Sequence, residues 1–236
     1  MNEKNLIEKL RGLAEGRIPE EEALAEIKDA SPIEISEAEQ KLLDEGMSQE
    51  KLQEFCKIHL KAVQEKVDRL KDDLEQDHPI RTLIMEHDEI LKSLERLEGI
   101  RDEIKADMSA EVHEKLIHHA EHLIDAEKHH TREEDAIFPR MEKLGITGPT
   151  RIMKREHEDM WPKKKRLLDL SRDPEGNEVE IRELIDYLTF NLRDHIFKEN
   201  NILYPSALNE LKEWDTVKNE CDEIGYCCFT PGKEKE

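Results

Sequence analysis

Two stretches of this chain carry the same polar pattern at the same spacing. His129 and Glu133 are followed by Ile137-Phe138-Pro139, and His195 and Glu199 by Leu203-Tyr204-Pro205. In both, the proline falls ten residues after the histidine. Each stretch is preceded by a single histidine, His87 and His157, at separations of 42 and 38 residues. A His and a Glu four residues apart share one face of a helix. Four imidazoles and two carboxylates turned toward a helical core are costly to bury unless a metal compensates them. A lone HxxxE is ordinarily a solvated surface pair, but six matched positions in repeated order are not expected of solvated residues.

The rest of the chain reads as helix. Charged residues make up 40% and aromatics 4%, and hydrophobic residues at 36% suit thin bundle cores rather than a thick sandwich. Apolar periodicity predicts helices over 80–104, 109–143, 148–171 and 178–212. Gly145, Gly148-Pro149 and Pro174-Glu175-Gly176 fall between them. Short connections imply antiparallel neighbours, so the expected fold is all-α, an up-down-up-down four-helix bundle over 78–212.

A small helical domain is expected ahead of the bundle, over 1–77. Leu6, Ile7, Leu10 and Leu13 mark a first helix ending near Gly16, and Pro19 to Lys28 a second. Ser31-Pro32-Ile33-Glu34 is a capping box opening a helix that stops at Gly46, and Ser48 caps another running to about Glu75. His78-Pro79 is the expected boundary. Residues 213–236 read as a tail or linker stub.

A net charge of −21 argues against unaided binding to nucleic acid or an anionic membrane. With no long apolar run and no signal-peptide pattern, a cytoplasmic location is expected. Cys56, Cys221, Cys227 and Cys228 have neither zinc-site nor disulfide-framework spacing. They read as reduced thiols, Cys227-Cys228 being too short a signal to support redox chemistry.

Helical projection places His87 on one face with Ile80, Ile84, Leu91 and Leu94. His195 and Glu199 share a face with Leu184, Leu188, Asn191 and Ile202, and His157 with Met153, Met160, Trp161 and Leu168. On the second bundle helix His118, His122, His129 and Glu133 project together, whereas His113, His119 and His130 point elsewhere. His118, His119 and His130 are therefore read as solvated or supporting residues, and His59 and His78 as structural. A donor set of nitrogen and carboxylate without thiolate suits iron, and less specifically manganese or zinc. Two metals about 3.5–4 Å apart suit a pair of bridging carboxylates with imidazoles outside.

The order His, HxxxE…Phe-Pro, His, HxxxE…Tyr-Pro resembles the hemerythrin-like, or HHE cation-binding, domain. The resemblance implies that His87, His129, Glu133, His157, His195 and Glu199 hold a non-haem di-iron centre. Such a centre has oxo- or hydroxo-bridged iron and an open position for a small ligand such as oxygen or nitric oxide. The chain departs from the oxygen-carrying members, which have a second histidine one turn after the first on the third helix, where Trp161 stands here. His122 is a candidate for the missing nitrogen, with water or a neighbouring carboxylate as alternatives, and Glu134 is a candidate substitute for Glu133.

Ahead of the bundle, Glu37 to Gly46 and Phe55-Cys56-Lys57-Ile58-His59 are similar to an uncharacterised helical domain. That domain precedes some hemerythrin-like and PAS domains, and Glu223 to Cys228 resembles the lead into a PAS domain. The expected function is sensing of oxygen, nitric oxide, iron or redox state, with a protein partner reached through the N-terminal domain. The alternatives are a di-iron oxidoreductase, an iron-donating repair factor for iron–sulfur centres, and oxygen binding or storage.

Overall fold

The computed structural model describes residues 3–14, 17–19, 38, 41–42, 45–47, 67–104, 109–229 and 231. The readings of 20–37 and 48–66, with Cys56 and His59, lie outside the described residues. Helix α1 spans Glu3–Ala14. A helical stretch at 67–72 leads into the bundle, formed by α2 (Pro79–Ile104), α3 (Ala110–Asp125) with its continuation, α6 (Gly148–Arg172) and α7 (Glu178–Lys198) with its continuation. Each of these four packs on its two neighbours around a ring, the expected up-down-up-down order. Among the described residues no helix is long and apolar enough to cross a membrane.

The second and fourth bundle elements are not single α-helices. After α3, Ala126 makes a kink and α4 (Glu127–Arg132) follows. A π-helical turn, π1 (Glu133–Ile137), then leads to α5 (Phe138–Lys143). In the same way α7 runs into π2 (Glu199–Leu203) and α8 (Tyr204–Glu210). The two π turns stand at equivalent places in the repeat.

The element ends follow local chemistry. Ser109 accepts the Val112 N–H to start α3, and His78 Nδ1 accepts the Ile80 N–H at the start of α2. Gly145 and Gly176 turn with φ of 85° and 78°, conformations that side chains with a Cβ rarely adopt. Gly46 ends a helical stretch as expected, the Met47 N–H reaching back to the Leu42 carbonyl.

Two apolar clusters fill the bundle. One gathers Ile90, Leu94, Leu97, Leu116, Leu123, Leu167, Ile185 and Leu188, and the other Ile80, Leu83, Ile84, Ala136, Phe138, Met153, Leu203 and Tyr204. His87, His129, Glu133, His157, His195 and Glu199 lie between these clusters along their helices, every one of them buried.

Three expectations are corrected. Residues 213–236 are not merely a tail, because α9 (Trp214–Ile224) packs on the bundle with Val217 and Cys221 in its second cluster. Trp161 does not share the inward face of α6: it is 37% exposed under the Lys165 ammonium, and Met160 and Lys164 turn inward instead. The N-terminal region is not cleanly separate either. Leu6, Leu10, Ala38 and Leu42 pack against Phe190 and Phe197 on the outer side of α7, and Arg81 of α2 donates to the Lys71 and Leu74 carbonyls.

Phe197 is fully buried in that contact. In the full chain, Phe197→Ala is expected to cost about 3–5 kcal/mol in denaturant unfolding. In a fragment starting at residue 67 the ring loses its cover, and the same substitution is expected to cost about 0.5 kcal/mol or less. Equal costs in both would mean that the N-terminal segment does not shield this face.

Candidate metal centre

Four imidazoles meet at the centre in two pairs. His87 Nε2 lies 3.1 Å from His129 Nε2, and His157 Nε2 lies 2.9 Å from His195 Nε2. Each carboxylate reaches both pairs. Glu199 places Oε2 2.9 Å from His87 Nε2 and Oε1 2.8 Å from His195 Nε2. Glu133 places Oε1 3.9 Å from His129 Nε2 and Oε2 3.7 Å from His157 Nε2.

The outer ring nitrogens decide what the inner ones can do. His87 Nδ1 is 2.9 Å from Asn200 Oδ1, and His129 Nδ1 is 2.9 Å from Glu86 Oε2. His157 Nδ1 is 2.5 Å from Glu134 Oε1, and His195 Nδ1 is 2.8 Å from Glu156 Oε2. These partners are acceptors, so each Nδ1 carries hydrogen and donates outward. A neutral imidazole then has its lone pair on Nε2, aimed at the centre. Lone pairs about 3 Å apart repel unless a proton or a cation lies between them.

Without a metal, a proton on His195 takes that role in one pair, whereas burial draws His129 of the other pair down to about 4. Burial opposes charge on His195, but Glu199 and Glu156 on its two sides raise its pKa to about 9. Burial and the nearby Glu199 push the Glu133 carboxyl well above its ordinary range. Glu199 stays ionised against its burial, chiefly because of the His195 charge. Glu133 Oε2 is nonetheless left with no hydrogen bond in the interior. A buried layer of convergent lone pairs, outward-tied imidazoles and an orphaned carboxylate oxygen fits a bound cation pair.

The supporting residues repeat as the main ones do, and the helical projection missed them. The residue before each lone histidine, Glu86 or Glu156, holds the imidazole of the HxxxE histidine in its own half of the site. The residue before each HxxxE glutamate is a cation, Arg132 or Lys198, that pairs with that same carboxylate. The residue after each glutamate, Glu134 or Asn200, holds a lone histidine. The pattern Glu-His followed by His-x-x-Arg/Lys-Glu was readable in the chain. Glu134 thus turns outward to His157 and does not replace Glu133 at the centre.

Two further residues reach the centre. Tyr204 donates its hydroxyl to Glu133 Oε1 at 2.8 Å and lies 3.2 Å from His129 Nε2. Its counterpart Phe138 has no hydroxyl. His130, read as pointing elsewhere, is 4% exposed and stacks on His157 with ring centroids 3.9 Å apart. A ring nitrogen of His130 lies within 4.8 Å of ligand atoms of His157 and His195, and Nδ1 of His130 lies 3.3 Å from Glu127 Oε1 without a hydrogen bond. His122 goes elsewhere: its Nε2 lies 3.3 Å from Cys228 Sγ, and it joins none of the clusters among the described residues.

The physical reason is a change of helical phase. The His129 N–H bonds the Ala126 carbonyl three residues back, so the helix tightens just where α3 gives way to α4. The next turn widens, the Phe138 N–H reaching the Glu133 carbonyl five residues back. The Tyr204 N–H reaches the Glu199 carbonyl in the same way. Pro139 and Pro205, the next residues, bring no N–H to the carbonyl four back. A projection at constant pitch therefore misplaces His122 and His130 together.

A helical bundle with a buried histidine–carboxylate layer defines a class of metal-binding proteins. Residues 78–207 match the family model of the hemerythrin HHE cation binding domain, more than half of the chain, and the chain belongs to that family. Residues 4–69 match a family of unknown function, DUF438. No curated protein matches the chain.

Two predictions follow from the proton inventory and the outer partners. A metal held through His195 would displace its proton, so affinity for ferrous or zinc ion is expected to fall as pH drops below about 9, with proton release on binding. Metal titrations in lightly buffered solution check this, and pH-independent uptake would contradict it. Burial works against the Glu86 charge, but the His129 N–H and the Arg132 guanidinium hold its pKa at about 2, below the ordinary 4.5. A depressed carboxyl pKa stabilises the folded state above the unfolded value and ceases to do so as pH falls through the folded one. Melting of the metal-free protein should therefore lose on the order of 3 kcal/mol between pH 4.5 and 2 from this group, a loss absent in Glu86→Gln.

Proposed function

We propose that the bundle holds a non-haem di-iron centre and that the chain is a sensor of a small ligand or of redox state. His87 and His129 would hold one iron and His157 and His195 the other, with Glu133 and Glu199 in reach of both pairs. The observation that carries this reading is the set of four imidazoles whose Nδ1 atoms are tied outward while their Nε2 atoms face two shared carboxylates. We assign the fifth nitrogen to His130, on the His157 side. Family membership favours iron. When bound, such a pair of irons supplies electrons and a coordination position to oxygen or nitric oxide.

The chain's own residues then have distinct roles. The Glu86–Arg132 and Glu156–Lys198 pairs orient His129 and His195 and keep their ring protons outside. Tyr204 holds Glu133 through its phenol and is the one hydroxyl proton directed into the centre among the contacts described. The two apolar clusters exclude water from both ends of the layer, which limits loss of reactive species.

Sensing is supported by where α7 points. His195 and Glu199 lie on its inner face, and Phe190 and Phe197, its outward aromatics, pack against the N-terminal residues. A shift of His195 or Glu199 on ligand binding is carried by rigid helix and packed side chains to that contact. Reversible oxygen binding is the second reading, and His130 favours it. With His130 the centre has five histidines, the number in the oxygen-carrying proteins this domain resembles, in place of the one lost at Trp161.

Protein purified without added metal is expected to contain two irons per chain, with visible bands that shift on adding azide. One tightly held metal, or bands indifferent to azide, would count against the di-iron reading. Glu134→Ala should weaken metal binding by about 10- to 100-fold through His157. For sensing, nitric oxide added to the reduced iron protein should change amide hydrogen exchange in residues 3–14 and 190–197. An unchanged pattern together with an oxygen adduct stable in air would select oxygen binding instead.

A further inference from the structure

Cys227 and Cys228 are outside the metal centre, yet the fold brings both back to the bundle. α9 ends at Cys221-Asp222-Glu223-Ile224, and Gly225 reverses the chain with φ of 91°. The ring of Tyr226 then lies under the Arg132 guanidinium, 4.7 Å from centroid to carbon. The Cys227 N–H donates to Glu86 Oε1 at 3.3 Å, and Cys228 packs against the larger apolar cluster. The two Sγ atoms are 2.9 Å apart, and Cys228 Sγ is 3.3 Å from His122 Nε2. Both thiols are half-buried and reachable, and His122 also borders an open cleft of about 390 Å³.

We propose that Cys227 and Cys228 form a reversible dithiol–disulfide couple, with Cys228 the attacking sulfur and His122 its positioning base, and that Glu86 conveys its state to His129. Three features support this. An imidazole beside a thiol favours the thiolate–imidazolium form, and the thiolate is the nucleophile. A resolving thiol is already at contact distance, the arrangement expected of redox-sensing cysteines. The Cys228 thiol is drawn down to about 6, first by the Cys227 S–H that donates to it and, against its burial, by His122, whose own pKa is raised.

With hydrogen peroxide as oxidant the chemistry balances. The Cys228 thiolate attacks one peroxide oxygen, the O–O bond breaks, a sulfenic acid forms, and the departing hydroxide takes the His122 proton and leaves as water. The Cys227 sulfur then attacks Cys228 Sγ, the S–S bond forms, the S–O bond breaks, and the thiol proton and hydroxyl leave as a second water. Peroxide is reduced by two electrons and the dithiol is oxidised by two.

Closure has to move the backbone. The peptide bond fixes adjacent Cα atoms at about 3.8 Å, below the usual span of a disulfide, about 4.4 Å or more, so the torsions at Cys227 and Cys228 must change for the sulfurs to bond. The Cys227 N–H that moves is the one held by Glu86 Oε1, and Glu86 Oε2 holds His129 Nδ1. That carboxylate touches both the couple and the histidine layer.

The test uses the full metal-free chain, so its outcome does not depend on whether iron binds. One equivalent of hydrogen peroxide is expected to remove two thiols, with peptide mapping showing a 227–228 disulfide that dithiothreitol reverses. Cys228→Ser should abolish the fast reaction, and Cys227→Ser should stop at a sulfenic acid trapped by dimedone. His122→Gln should slow oxidation about 10-fold or more and lose the ultraviolet absorbance of the thiolate at neutral pH. Oxidation of Cys56 or Cys221 in place of the pair, or a Cys228→Ser chain that reacts as fast as wild type, would overturn the couple. The link is read from the His129 ring resonance by NMR. It should move on oxidation of wild type and stay in Cys227→Ser, and a fixed resonance in wild type would overturn the link.

Discussion

Four imidazoles and two carboxylates occupy one dry layer of a helical bundle, and the rest of the molecule is arranged to make that layer tolerable. Charge or lone pairs in such a place are stable only if every outer nitrogen has an acceptor and every inner one has a proton or a cation. Asn200, Glu86, Glu134 and Glu156 meet the first need. Three of those acceptors are acidic, and Arg132 and Lys198 stand behind two of them, so charge alternates outward from the centre. The second need is met only in part in the metal-free chain, by a proton on His195, whereas burial keeps His129 uncharged beside His87, which couples metal binding to acid–base chemistry and to folding.

The sequence repeat becomes a quasi-twofold arrangement, and its departures from symmetry carry the chemistry. Tyr204 and Phe138 follow equivalent π turns, but only Tyr204 brings a hydroxyl to a carboxylate. His130 adds a ring to the His157 side with no counterpart at position 196, where isoleucine packs into the apolar cluster. A symmetric scaffold thereby presents two chemically different histidine pairs.

The centre is also tied to both ends of the chain. The outer aromatics of α7 are covered by N-terminal residues, and the turn after α9 places a thiol pair against Glu86. Neither connection runs through an exposed loop. Each passes through a buried aromatic or a shared carboxylate, a short path along which displacement is not dissipated by solvent.

Much of this was legible in the chain because helices are local. Apolar periodicity, Gly145, Gly176 and the prolines marked the four bundle elements, and the repeated HxxxE picked out Glu133, Glu199 and four histidines that the fold does bring together. The order of residues also encoded the outer partners, in Glu86 and Glu156 before the lone histidines. What only the tertiary structure decided was rotation about the helix axis and return from a distance. The widening at Glu133 was local, tied to Pro139 as that at Glu199 is to Pro205, but the tightening at Ala126, between His122 and His130, shifted the helical phase that a constant pitch assumes. Trp161 was turned to solvent because Met160 and Lys164 fit the inward side of α6. Cys228 met His122 across 106 residues, a contact that no spacing along the chain announces, since it exists only when α9 has docked and Gly225 has turned.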